Sequence, residues 1–220
     1  MDTCIYIDGF NFYYGAVKDT PHKWLDFKSL FQSILPPNYV ISSIKYFTAR
    51  VSATPHDPGK PNRQDRLIEA LKAHIPEIEI HEGNFTTHER WFNLSNHRGD
   101  QLRSNDFLAA RVDETKEKGS DVKLAVHLVN DAHKQSYECF VVVSNDSDLA
   151  EAMKIVKGMP RTLVILMTPP RFKRTRSTLL KTHSHQAWKI KSSHLADSQL
   201  PDPVVDSTTG KRYARPAEWW

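Results

Sequence analysis

The hydrophobic pattern alternates between short apolar runs and longer stretches in which apolar residues recur every three or four positions. The run "TCIYI" (residues 3–7) has the character of a buried strand and ends at Asp8-Gly9, a dipeptide that favours a turn. Residues 24–35 place apolar side chains at helical spacing and stop at Pro36-Pro37. Residues 39–51, rich in β-branched and aromatic side chains, predict a second strand. A Pro-dense loop (52–62) leads into a predicted helix over 63–75, and the alternation in "EIEIHEGNF" (77–85) predicts a third strand. From Thr86 to Asp106 the chain is polar and aperiodic, and reads as an excursion or a loop lying over a site. A helix over 120–136 follows, with Ser120 as its cap, then a fourth strand in "YECFVVVS" (137–144). A helix over 147–159 and a fifth strand over 161–169 complete the alternation.

Such alternation predicts an α/β fold, a Rossmann-like three-layer sandwich whose mostly parallel central sheet carries helices on both faces. In sheets of this kind, function gathers beyond the carboxyl ends of the strands, where the strand order reverses. Residues 1–195 are expected to form one domain and residues 196–220 a Pro-rich tail, in which Trp219 and Trp220 favour packing onto that domain.

Composition narrows the class. With 39% hydrophobic and 25% charged residues, the 220-residue chain reads as a soluble globular protein of ordinary core size. No apolar run reaches the length of a membrane span, so no membrane partner is expected. The start, "MDTCIYIDGF", reads as a strand and not as a leader, which makes the cytoplasm the expected compartment. Cys4 and Cys139 both lie in strand-like runs and are expected to be buried thiols. The formal charge of +4 is a mild basic bias, but residues 171–194 contain no acid at all. That segment is either a solvated basic face or a phosphate contact through Arg171, Lys173, Arg174 and Arg176, with Arg63 and Arg66 as further candidates.

The acids are more informative. Asp8 follows "CIYI" and Asp146 follows "FVVVS", so each stands just past the end of an apolar strand. Asp121 opens the helix that leads into the fourth strand, and Asp148 opens the next helix. Each alone is explained by a turn or a helix cap. If the first and fourth strands are neighbours, these carboxylates converge in one crevice. Like charges in close proximity repel unless a cation neutralises them or one takes up a proton. An all-oxygen donor set favours a hard cation, Mg2+ or Mn2+, which lowers the pKa of bound water and stabilises charge on a phosphoryl oxygen.

Three ordered motifs, "YIDGFNFYYG", "EKGSDVKLAVHLVNDA" and "VVVSNDSDLAEAMKIV", together resemble the NYN domain family, a branch of the PIN-like nucleases, over residues 3–167. The resemblance implies a PIN-like fold, a divalent metal site and hydrolysis of RNA phosphodiesters. It matches Asp8 to the first-strand acid, Asn11 to the asparagine that follows, and Asp121 to the acid of the Lys-Gly-x-Asp motif. Asp146 and Asp148 match the paired acids after the fourth strand, with Ser144 at the preceding serine. On this basis Asp8, Asp121 and Asp146 are expected to hold the ion, with Asp148 helping to place it or the attacking water. Two positions depart from the pattern: Asn145 stands where members often have glycine, and His127 where many carry an acid. His127 is either a softer ligand or a packing histidine. Lys118 reads as a solvated side chain or a phosphate contact. Of Phe10, Phe12, Tyr13 and Tyr14, some are of the type that stacks on unpaired bases, while Phe10 and one tyrosine are expected in the core.

Two rivals stand beside a metal-dependent ribonuclease, and the assembly state, a homo-oligomer included, stays open. One is an RNA- or protein-binding module with little or no cutting, which His127 and Asn145 favour. The other is a small-molecule enzyme using the same crevice, against which "IDGFNFYYG" lacks the G-x-G-x-x-G of a dinucleotide site.

Overall fold

A computed structural model describes residues 1–93, 109–170 and 177–219. Strand β1 (Asp2–Asp8) runs straight into α1 (Gly9–Phe12), which continues as a π-helical turn over Tyr13–Val17. Next come α2 (Phe27–Ile34), β2 (Val40–Ala49), α3 (Lys60–His74), β3 (Ile78–Asn93) and β4 (Ala109–Lys118). Helix α4 (Ser120–His133), β5 (Cys139–Val143), a 3₁₀ turn (Ser147–Leu149), α5 (Ala150–Lys157) and β6 (Leu163–Thr168) follow. The chain closes with α6 (Thr178–Thr182), β7 (Gln186–Lys189), α7 (Ser192–Asp197), the short strands β8 (Val204–Val205) and β9 (Arg212–Tyr213), and a 3₁₀ turn (Ala217–Trp219).

The seven-stranded sheet has the order β4-β3-β2-β1-β5-β6-β7 and is parallel throughout except for the β3–β4 pair. Alternation along β1 sends Ile5 and Ile7 to one face, where α2, α3, α7 and the tail pack, and Cys4 and Tyr6 to the other, under α4, α5 and α6. The three-layer α/β sandwich is therefore present. Both cysteines are fully buried free thiols. No helix among the described residues is long and apolar enough to cross a membrane.

Four local expectations need correction. Asp8-Gly9 is no open turn: Asp8 caps α1 directly. Helix α4 is capped at Gly119, whose φ of +95° suits a residue without a side chain, and Ser120 is its first helical residue. Residues 86–93 are not an excursion, since β3 runs on to Asn93 and pairs antiparallel with β4; residues 94–106 lie outside the described residues. The described part of the basic segment is not one helix face, because it contains α6 and the edge strand β7.

The tail packs onto the domain. Leu200 and Val204 are buried, Trp24 Nε1 donates to the Pro201 carbonyl, and Trp219 lies 6.3 Å from the Trp24 ring.

Candidate metal centre

Strands β1 and β5 are hydrogen-bonded neighbours, and the strand order reverses at this pair. Their C-terminal ends therefore meet, and a chain of hydrogen bonds ties the two acids together. The Asn11 N–H donates to Asp8 Oδ1 at 3.0 Å, and the Ser144 hydroxyl donates to Asp8 Oδ2 at 2.8 Å. That same hydroxyl oxygen accepts from the Asp146 N–H at 3.0 Å, and Asp146 Oδ1 accepts from the Asp148 N–H at 3.0 Å. Asn11 Oδ1 accepts from the Asn145 N–H at 2.9 Å, and Asn145 Oδ1 from the Ser177 N–H at 3.0 Å. Asn11, Ser144 and Asn145 thus stitch the two strand ends together from behind. Gly9 permits the close approach of α1 to β2, since a Cβ there would stand 2.5 Å from the Phe47 carbonyl oxygen.

A cavity of about 450 Å³ opens above these strand ends, lined by Asp8, Asn11, Asp121 and Asp146 together with Glu117, Lys60 and the rings of Phe10, Tyr14 and Phe85. Burial pushes the Asp8 carboxyl up to about 7, reinforced by the nearby Asp121 and Asp146; the bonds from Asn11 and Ser144 oppose the rise without cancelling it. Asp121 is also raised, first by burial and then by Asp146, Glu117 and Asp148. Among the described residues, none of these five carboxylates has an ion-pair partner. The result is a concentration of negative charge in a partly desolvated crevice, with Lys60 as the cation at its edge. Among the described residues, no three Asp, Glu, His or Cys side chains already stand as a cage for one ion. The donor set nevertheless fits a hard, hydrated cation, because Mg2+ keeps several waters and needs only one or two direct carboxylates.

The other predicted residues lie around this crevice. Asp148 is exposed and contributes to the field on Asp121 without lining the cavity. Lys118 is exposed at the end of β4, outside the lining. Arg63 is held by Asp57 at 2.5 Å and Glu218 at 3.2 Å, and lines the adjoining cavity. Arg66 is exposed on α3, in a depression shared with Lys211 and Arg212. Arg171, Lys173, Arg174 and Arg176 fall outside the described residues. His127 packs against His81, with ring centroids 4.3 Å apart and planes tilted by 52°, and against Phe47, and does not line the acid cavity. Phe12 is the buried ring of its group; Phe10 is only half-buried and meets Phe85 edge-on, and neither Tyr13 nor Tyr14 is buried.

Sequence reasoning did not single out Glu117 or Lys60. Glu117 lies four residues before Asp121, within the quoted "EKGSD" motif, so its place could have been suspected; its side chain also accepts the Ser120 N–H at 3.0 Å. Lys60 sits in a loop-like "PGKPN" stretch that carries no chemical signature.

A family model described as NYN domain matches residues 2–186. The chain is 29% identical over 239 residues to a Pseudomonas putida protein named 6-hydroxy-3-succinoylpyridine 3-monooxygenase HspA, covering 100% of this chain and 76% of that protein. A crystal structure of VPA0982, a protein of unknown function from Vibrio parahaemolyticus, superposes with a TM-score of 0.52 at 15% identity, covering 90% of this chain and 96% of that one. At that identity the likeness concerns the fold alone.

Proposed function

The chain belongs to the NYN domain family, and from that premise we propose that it is a divalent-metal-dependent ribonuclease. The family is of nuclease type, and its nucleases are generally dependent on divalent metal ions. The observation that carries the reading is the convergence of Asp8, Glu117, Asp121 and Asp146 on one cavity without a paired cation among the described residues, with Asp8 pushed up to about 7. Asp8, Asp121 and Asp146 would hold Mg2+ or Mn2+ directly or through water. A bound ion supplies a water of lowered pKa and charge stabilisation at the phosphoryl oxygen.

The protein's own contribution is positional. Asn11 and Ser144 fix the Asp8 carboxylate, and Ser144 transmits that position to Asp146. Asp8, pushed up to about 7, is about half protonated at neutrality and would release that proton on holding a cation. Asp148, exposed beside the crevice, would orient water or accept its proton. Lys60 neutralises a backbone phosphate, with Lys118, Arg63, Arg66, Arg171, Lys173, Arg174 and Arg176 as outer contacts. We assign the chemistry to residues 1–195, with 196–220 as an appended segment, and the site of action to the cytoplasm. Attack by water does not require the ribose 2′-OH, so DNA belongs in the test.

The test is cleavage of transfer, messenger-like and unstructured RNA, and of single-stranded DNA, with and without Mn2+. Cutting that requires Mn2+ and vanishes in Asp8→Ala supports the proposal; cutting that survives Asp8→Ala or Asp146→Ala overturns it. RNA that is retarded but never shortened identifies a binding module instead.

A second reading has its own support. The monooxygenase relative aligns over the whole of this chain, and Phe10, Tyr14 and Phe85 offer walls for a small aromatic ring. Such an enzyme would use dioxygen and a redox cofactor in the same crevice. Consumption of 6-hydroxy-3-succinoylpyridine with a reduced nicotinamide and added flavin, in protein that does not cut RNA, would establish it.

A further inference from the structure

Beside the acid-lined crevice lies a second cavity of about 140 Å³, whose walls include Tyr13, Tyr14, Tyr46, Leu67 and Trp219. The two share Phe10, Tyr14, Val51 and Lys60, so they adjoin across a wall that carries two aromatic rings and one cation. We propose that this cavity receives a single unpaired nucleobase of an RNA strand whose neighbouring phosphate lies at the acids, and that the C-terminal segment supplies one of its stacking walls. The proposal rests on the nuclease reading and names the substrate class of that site as single-stranded.

Three features support a base as the occupant. The walls are aromatic and differently inclined: Tyr13 and Tyr14 meet edge-on at 82°, and Tyr14 is 55% exposed, with Lys18 Nζ over its ring at 5.0 Å from the centroid, a side chain that a stacking base would displace or share the ring with. Aromatic walls of this kind accept any base, because every base has a π-face. The cavity is too small for a base pair, and RNA is read in this way where bases are splayed out of a helix. Lys60 stands on the shared wall and pairs with no carboxylate among the described residues, which places a positive charge between the base cavity and the acids, where the connecting phosphate would pass.

The tail is built into the site. Trp219 is held by its packing on Trp24 and by a bond from Arg215 to its carbonyl, while the adjacent Glu218 pairs with Arg63 on the cavity wall at 3.2 Å. The family match ends at residue 186, so this wall is contributed by chain beyond the matched domain. Base stacking is thereby supplied in part by chain other than that which carries the acids.

The experiment uses the non-cutting Asp8→Asn protein without metal and a set of short single-stranded RNAs, intact or abasic at one position each, with affinity read by fluorescence anisotropy. The expected result is that one abasic position weakens binding by about fivefold or more. That sensitivity should disappear in the added presence of Tyr14→Ala or of Trp219→Ala. Tyr14 is exposed, so its variant separates a lost contact from a lost fold. Equal affinity for every abasic RNA, or sensitivity that persists in both variants, overturns the proposal. Metal-dependent cutting by the unmodified chain is scored separately. Cutting without abasic sensitivity removes this inference alone; sensitivity without cutting removes the nuclease reading and leaves the base site standing.

Discussion

Replacing Asp8 by asparagine should stabilise the metal-free protein at alkaline pH while abolishing metal-dependent cleavage. The folded carboxyl titrates at about 7 and is 4% exposed, against about 3.9 for an exposed aspartate, a gap of about three pH units. At ~1.4 kcal/mol per pH unit, an ionised Asp8 carries a penalty of up to about 4 kcal/mol, which hydration and small relaxations reduce to about 2–4 kcal/mol. Asparagine has nearly the same shape: its Oδ1 can accept from Asn11, and its Nδ2 can donate to the Ser144 hydroxyl, which still accepts from Asp146. The sign follows from proton counting. Between pH ~4 and ~7 the folded chain holds a proton that the unfolded chain has released, so wild-type stability falls as pH rises through that window. The advantage of Asp8→Asn should be absent near pH 4, grow up to about pH 7 and level off above, reaching ~4–16 °C in Tm for a domain of this size. Thermal unfolding with chelator from pH 4 to 9 reads this directly. Added Mn2+ should raise the Tm of the wild type at pH 8 and leave the variant unmoved. A variant less stable than wild type at pH 8, or a difference independent of pH, would refute the account of Asp8 as a buried, repelled acid.

Three further substitutions probe the surroundings. Asn11→Ala removes the acceptor of the Asn145 N–H and should cost about 1–3 kcal/mol in denaturant unfolding, with reduced cleavage in folded protein. Gly9→Ala would put a methyl group 2.5 Å from the Phe47 carbonyl, a backbone atom with little room to retreat; a loss of about 1–3 kcal/mol and a larger proportional loss of cleavage are expected. Asp131→Ala serves as a contrast remote from the acids. It removes the close partner of the buried Lys45 ammonium, which lies 2.7 Å from Asp131 Oδ2, leaving it Glu79 at 4.0 Å, and should cost about 3–5 kcal/mol while sparing cleavage per folded molecule.

The central strands were legible because their physical signal is burial on both faces. β1, β5 and β6 are nearly continuous apolar runs, which is what a parallel sheet covered by two helical layers requires. The outer half of β3 and its partner β4 were not, because much of that ribbon faces water and lacks an apolar period. Its register sets Thr87 opposite Thr115 and lets Glu89 reach Arg111 diagonally, contacts that a linear reading cannot align. β7 was hidden for a related reason: two exposed and two half-buried residues at a sheet edge, inside a segment dominated by charge. The same distinction divides the site. Asp8 and Asp146 could be placed from the ends of strong strands, whereas Glu117 reaches the cavity only through the register of β4 on β3, and Lys60 only through the path of a loop.

How their oxygens are used bears on whether these acids serve only as helix caps. Asp8 accepts the Asn11 N–H and Asp146 accepts the Asp148 N–H, so each does cap the helical turn that follows its strand. Capping by a neutral N–H orients a carboxylate without neutralising it, and a carboxylate oxygen that accepts one such bond still has a lone pair to offer. At Asp8 the bonds from Asn11 and Ser144 lower the pKa, yet burial and the neighbouring acids outweigh them. The cap therefore fixes direction and leaves the charge unresolved. A fold that needed these residues only as caps could use one such acid, or a serine, at each helix start and avoid the repulsion. Holding Asp8, Asp121 and Asp146 on one cavity with no paired cation among the described residues is a standing cost to stability, and a divalent ion is the partner that would relieve it.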